Sequence, residues 1–142
     1  NWRQVMDTNV NAIFYWNQIL IEPMMMQGSG SVVLMSSVTG VKGNTGQSAY
    51  GASKAAMIGL ARTLAIELGR FGVRVNCLLP GYIDTDIMAE ISKEKRGALR
   101  QTIPMKRFGK AEEISGAVAW LVSGDSTYMT GQTLVLDGGL SA

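Results

Sequence analysis

Three short apolar runs, Ser31–Met35, Val73–Leu79 and Thr133–Leu136, are separated by long stretches of helical periodicity, and this alternation constrains the fold more than any other feature. Short runs rich in Val, Leu and Met, bounded by glycine, proline or small polar residues, suit strands buried on both faces. Parallel strands cannot be joined by tight turns and need long crossovers, usually helices. Strand, helix, strand, helix, strand therefore predicts an α/β fold with a parallel sheet and crossover helices.

The intervening segments read as helices. From Trp2 to Gln27, Val5, Met6, Val10, Ile13, Phe14, Ile19 and Leu20 recur at helical spacing, which predicts a long first helix with a buried face. Gly28-Ser29-Gly30 ends it, and Met24-Met25-Met26 reads as packing filler rather than a metal site, because Met fills core gaps readily. Gly40, Gly43, Asn44 and Gly46 form a loop before a second helix, rich in Ala, Leu and Met, from Ser48 to Arg70. Lys110 to Val122 forms a third, with Ala117, Val118 and Leu121 inward. Ile83 to Arg100 is polar with a weaker period and is expected to be a mobile excursion outside the core. At 142 residues the chain has room for one domain. It opens inside a helical pattern and without Met, so an N-terminal part is expected to be missing.

Composition removes several function classes. Hydrophobic residues make up 46% and charged residues 17%, the balance of a chain that folds. Thirteen Lys+Arg against eleven Asp+Glu leave +2 with the charges scattered, so neither nucleic acid nor an anionic membrane is an expected partner. No run reaches the roughly 20 apolar residues that span a bilayer, and Asn1 to Asp7 is not a signal peptide. The lone Cys77 has no intramolecular disulfide partner, which fits a reducing compartment and makes a cytoplasmic location the expectation. With no histidine, a Ser-His-Asp triad, a His-ligated zinc and an imidazole proton shuttle are all excluded. Proton transfer is left to Tyr, Lys, Asp, Glu or water.

Ligands of parallel sheets collect beyond the carboxyl ends of the strands, where Ser36-Ser37, Pro80-Gly81 and Asp137-Gly138 fall. Tyr50 and Lys54 stand four apart at the start of the second helix and so share a face. A phenol with an ordinary pKa near 10 is a poor acid or base at pH 7, but a nearby ammonium favours the phenolate. Tyr50 then has a route to general acid–base work, with Ser37 placed to donate to a substrate oxygen. Bland readings stand beside these. A Tyr and a Lys four apart occur by chance in many helices, paired serines often make a turn and a cap, and Pro-Gly ends strands. Asn9 inside a helix is ordinarily surface polarity.

The order of motifs carries more. Ser37, Tyr50 thirteen residues on, Lys54, Val75-Asn76 and Pro80-Gly81 resemble the signature of the short-chain dehydrogenase/reductase family. Asp7-Thr8-Asn9-Val10 matches the helix that supplies that family's catalytic Asn. Arg107-Phe108-Gly109, Glu112-Glu113-Ile114, Thr130-Gly131-Gln132 and Asp137-Gly138-Gly139 match its C-terminal segments, most like 3-oxoacyl-[acyl-carrier-protein] reductases of fatty acid biosynthesis. The likeness implies a Rossmann-type doubly wound parallel sheet, with residues 1–142 the C-terminal catalytic half of a single domain.

The same likeness implies roles. Tyr50 is the expected proton donor to a carbonyl; Lys54 lowers its pKa and holds the nicotinamide ribose; Ser37 polarises the substrate oxygen; Asn9 fixes a water in the proton relay. Pro80, Gly81, Ile83 and Thr85 are expected along the nicotinamide, with the Ile83 backbone on its carboxamide and the Thr85 hydroxyl adding a contact. The cofactor is NADP or NAD. The family's N-terminal Gly-rich turn and the residue that selects between them are absent from this sequence. Expected substrates are a small carbonyl or secondary alcohol, or an acyl thioester, with a sugar or polyol dehydrogenase as the alternative. A non-catalytic piece serving only assembly is the rival from another class. The second helix has Met57, Leu60 and Leu64 on one side and Ala52, Ala56, Gly59 and Thr63 on the other, so a homodimer or homotetramer is expected of the complete protein.

Overall fold

The computed structural model describes the backbone of residues 1–142 and every side chain except those of Ile87 and Ala89. Its elements, in order, are α1 (Trp2–Met6), a π turn (Asp7–Asn11), α2 (Ala12–Gln27), β1 (Gly30–Met35), α3 (Thr39–Lys42), α4 (Ser48–Leu68), β2 (Val73–Pro80), α5 (Asp86–Ala89), α6 (Lys93–Thr102), α7 (Ala111–Val122) and β3 (Thr133–Leu136). The three strands pair in parallel in the order β1-β2-β3, with Leu34 opposite Cys77 and Cys77 opposite Thr133.

Alternation along the strands sends side chains to two helical layers. Val32 and Leu34 of β1 and Val73, Val75, Cys77 and Leu79 of β2 share one core with Met57, Ile58, Ala61 and Ala65 of α4. On the opposite face Ser31 donates to the Leu121 carbonyl (2.8 Å) and Arg74 to that of Ser123 (3.3 Å), at the end of α7. The sheet is therefore doubly wound, as the family resemblance implies. Both crossovers step the same way across it, so helices on opposite faces need connections of opposite hand, one of them against the right-handed rule. Val73, Val75, Cys77, Leu78 and Leu79 are all fully buried, and each such aliphatic side chain contributes about 1.5–3 kcal/mol. Asn76 is the buried polar exception in that row; it donates to the Met129 carbonyl (2.8 Å) and accepts from the Gln132 N–H (3.0 Å). That pairing explains why Val75-Asn76 and Thr130-Gly131-Gln132 occur together: Gly131 N–H also donates to the Val75 carbonyl (2.7 Å).

The structure corrects two expectations. The first helix is not uniform, because the π turn interrupts it between α1 and α2. Its contacts with the core then run through Val10, Ile13, Ile21, Met24 and Met25, while Phe14, Ile19 and Leu20 are exposed (44%, 65% and 50%). Met24 and Met25 are packing residues as expected, whereas Met26 is exposed. The second correction concerns Ile83 to Arg100, which is not a loose excursion. It holds α5 and α6, with the Ser92 hydroxyl accepting from Lys95 N–H at the start of α6. Arg96 bonds the Asp84 carboxylate and the Met88 carbonyl (2.9 Å each), and Arg96 and Arg100 cover the buried Phe108 ring at 5.4 and 5.9 Å. The polar residues of this segment are its packing, which a search for apolar periodicity does not register.

Candidate active site

The site is built where β1 and β2 end. Pairing continues past the strands, since Ser36 N–H donates to the Leu78 carbonyl (2.8 Å) and Val38 N–H to the Pro80 carbonyl (3.1 Å). Ser37 is thus held between two backbone anchors. Its hydroxyl oxygen accepts from Thr39 N–H (3.2 Å) and donates only a long bond to Thr39 Oγ1 (3.4 Å), so a shorter acceptor is readily preferred. The buried Ser36 points the other way and donates to the Lys54 carbonyl (2.7 Å), clamping α4 to the end of β1.

Tyr50 and Lys54 lie one turn apart on α4. The Lys54 ammonium sits 5.5 Å from the Tyr50 ring centroid and donates to the Met35 carbonyl (3.0 Å), which leaves it two further donors. Burial penalises its charged form and sets its pKa below the usual lysine value, an effect opposed by the neighbouring Cys77. Burial likewise pushes the Cys77 thiol up to about 11, so it is not a nucleophile at neutral pH. Asn9, in the π turn, donates to Ser53 Oγ (3.0 Å), and Ser53 donates to the Tyr50 carbonyl (2.7 Å). π turns recur at functional sites, and this one presents Asn9 to the base of the Tyr50 turn.

The loop after β2 completes the wall. Gly81 N–H donates to the Leu136 carbonyl (2.9 Å), and a β-carbon at Gly81 would stand 2.7 Å from Asp137 Cβ and 2.8 Å from its Cα, so only glycine fits. Ile83 bridges Gly109 in parallel through the Tyr82 carbonyl and the Asp84 N–H (2.9 and 2.8 Å). In that geometry the N–H and C=O of Ile83 itself point away from Gly109 and are left for another partner. Arg107 grips Glu113 with two bonds (2.7 and 2.8 Å) and Lys110 N–H adds a third (2.8 Å), which holds the Glu113 carboxyl down at about 2 and fixes the start of α7 beside this loop.

Ser37, Tyr50 and Gly81 line one cleft of about 420 Å³, together with Lys42, Asn44 and Gln47. Ile83 opens instead onto a neighbouring cavity of about 190 Å³ bounded by Asp137 and Gly138. Lys54, Asn9, Pro80 and Thr85 line neither space; Thr85 precedes α5 with an exposed side chain. Ser53, Lys42 and Gln47 belong to none of the motifs in the sequence. Ser53 carried one usable signal, a polar residue on the buried stripe of α4, four before Met57.

Residues 1–141 match the family described as enoyl-(acyl carrier protein) reductase. The chain belongs to the short-chain dehydrogenase/reductase family. Among relatives of this family, nodulation protein G of Azospirillum brasilense is 44% identical over 140 residues, covering 99% of this chain and 57% of the relative. A 3-oxoacyl-[acyl-carrier protein] reductase from Brucella melitensis superposes with a TM-score of 0.96 at 35% identity, covering 99% of this chain and 53% of that one. A gluconate 5-dehydrogenase from Burkholderia cenocepacia, in complex with NADP and tartrate, superposes with a TM-score of 0.93 at 29% identity over 99% of this chain and 56% of that one. The chain thus spans little more than half the length of the relatives it matches. Their names point to an acyl thioester in one case and a sugar acid in another, so short-chain dehydrogenase/reductase membership alone selects no substrate.

Proposed function

We propose that the protein is an NAD(P)-dependent oxidoreductase that interconverts a carbonyl and a secondary alcohol. The observation that carries this reading is the shared cleft of Ser37, Tyr50 and Gly81 beyond the strand ends, with the Lys54 ammonium 5.5 Å from the Tyr50 ring. When bound, the nicotinamide supplies or accepts the hydride at the carbonyl carbon. Ser37 donates a hydrogen bond to the carbonyl oxygen and Tyr50 transfers its proton there, so that hydride plus proton make the alcohol; oxidation reverses both.

Lys54 stabilises the phenolate left on Tyr50, and its two remaining N–H donors suit ribose hydroxyls. The free N–H and C=O of Ile83 suit a carboxamide, which offers one acceptor and one donor in return. Gly81 keeps the loop close to the sheet so that a flat ring can lie against it, flanked by Pro80, with Thr85 at the loop's end. Asn9 holds the Tyr50 turn through Ser53, and its Oδ1, which takes no protein donor among the described residues, is the group left to hold a relay water. NADP and NAD both fit this half of a site. The substrate is a small carbonyl compound or a 3-oxoacyl thioester, with a sugar or polyol as the second reading, favoured by the likeness to the gluconate dehydrogenase.

The test is to track reduced-nicotinamide absorbance with the full-length protein, NADPH or NADH, and ketones including a 3-oxoacyl thioester and a keto-sugar. Carbonyl-dependent oxidation of one cofactor is the expected result. No turnover and no cofactor binding would favour the assembly-only piece.

A further inference from the structure

The cleft that holds Tyr50 has one formally charged side chain among its described lining residues, and it is Lys42. Lys42 ends α3, and its ammonium donates to the Leu140 carbonyl at 2.6 Å. That carbonyl belongs to a fixed turn: the Asp137 carboxylate accepts from Gly139 N–H, Ser141 N–H and the Ser141 hydroxyl (2.8, 2.8 and 2.6 Å). A lysine normally loses considerable side-chain freedom when it grips a ligand, but here part of that ordering is already done. The ammonium has three donors and the Leu140 carbonyl takes one, so two remain for the cleft.

Neutral donors stand beside it. Asn44 donates to Gln47 Oε1 (3.1 Å), which orients the Gln47 amide with its NH₂ uncommitted. The rest of the wall mixes apolar Val38, Leu99 and Leu140 and the Tyr82 ring with the hydroxyl-bearing Ser37, Thr39 and Thr102. An exposed cation and an exposed amide donor at the mouth of a cleft of about 420 Å³, with apolar and hydroxyl groups along the wall and a proton donor elsewhere in it, suit a small bifunctional anion. No carboxylate among the lining residues neutralises Lys42.

We propose that Lys42 anchors a carboxylate of the substrate, so that the compound reduced at Tyr50 is an oxo acid (or its hydroxy acid in reverse). The inference rests on the reading of Tyr50 as proton donor and narrows its substrate class. A charge-assisted hydrogen bond of this kind separates an acid from its uncharged ester by about tenfold or more in kcat/KM.

The experiment compares 3-oxobutanoate and 5-oxohexanoate with their methyl esters, using the full-length protein and reduced cofactor. These pairs differ in charge at constant ketone chemistry and sample two carboxylate-to-ketone spans. At least one acid is expected to exceed its own ester by about tenfold in kcat/KM, with the preference lost in Lys42→Met and restored in Lys42→Arg. Esters reduced as well as acids, or an acid-to-ester ratio unchanged in Lys42→Met, would overturn the anchor while leaving the reductase reading intact. If none of the four is reduced, calorimetric titration of butanoate and butanamide decides. Acid binding that exceeds amide binding and vanishes in Lys42→Met supports the anchor, with the reductase reading decided separately by cofactor binding and turnover on other ketones; equal or absent binding overturns the anchor.

Discussion

Asn9 Nδ2 lies 3.0 Å from Ser53 Oγ, and this bond joins the π turn of the first helix to the helix that carries Tyr50. Ser53 has no solvent exposure and passes the connection on to the Tyr50 carbonyl. Ser53→Ala removes both bonds and leaves a part-buried amide without its acceptor. A loss of about 1–3 kcal/mol in denaturant unfolding is expected, with kcat lowered and KM for cofactor little changed. Wild-type stability and kcat together would show that the link is incidental.

Lys54→Met removes the ammonium beside Tyr50 and the donor aimed past Met35. Cofactor affinity and rate are both expected to fall, each by about tenfold or more, because the phenolate loses its neighbouring positive charge and the cofactor a donor. Steady-state kinetics across pH with a cofactor titration measure both. Burial depresses the native pKa of Lys54 below its unfolded value, so the penalty on its charged form is present at neutral pH. That penalty fades as pH rises from the native value toward 10.5, and Lys54→Met abolishes this part of the stability profile.

Glu113 gives the opposite sign. Its native carboxyl is held at about 2 against an ordinary 4.5, so its contribution is complete above about 4.5 and is lost as pH falls toward 2. Glu113→Gln is therefore expected to melt below wild type at neutral pH, and the gap to close through that window. Thermal melts of both proteins check this; a gap independent of pH would mean that the Arg107 contact contributes through packing alone.

Strand positions and α4 were legible in the sequence because each rests on local pattern, short apolar runs and helical spacing, whereas the choice of Ser37, Tyr50 and Lys54 came from the family resemblance, since a Tyr and a Lys one turn apart occur by chance in many helices. The π turn was not legible, since the apolar spacing of Trp2–Gln27 looks regular across it, and the exposure of Phe14, Ile19 and Leu20 was masked by the polar Asn17, which takes a place on the buried face of α2 beside Ile21. Nor were the partners of Asn9 and Lys42, which lie 44 and 98 residues away. The cover over Phe108 escapes a hydropathy pattern for a related reason. Arg96 and Arg100 pack through guanidinium faces, and such a pattern scores those residues as solvent-facing.

The complete protein is expected to be a homodimer or homotetramer. Ala52, Gly59 and Thr63 form an exposed small-residue face on α4, whereas Ala56, expected with them, packs against the core, and Phe14, Ile19 and Leu20 expose apolar surface on α2. A β-carbon at Gly59 meets nothing within 4 Å, so Gly59→Glu should leave the fold intact while weakening close helix contact between subunits. Light scattering at micromolar concentration reads both proteins. A monodisperse wild-type monomer would contradict the assembly.

The central claim is that the Tyr50 hydroxyl delivers the proton. Tyr50→Phe removes that hydroxyl and keeps the ring beneath the Lys54 ammonium. The decisive measurement is kcat for carbonyl reduction by the full-length Phe variant, paired with a fluorescence titration of the reduced cofactor. A fall in kcat of about 10²–10⁴ with cofactor affinity unchanged is expected, whereas a variant that keeps about a tenth or more of wild-type kcat would rule out Tyr50 as the proton donor.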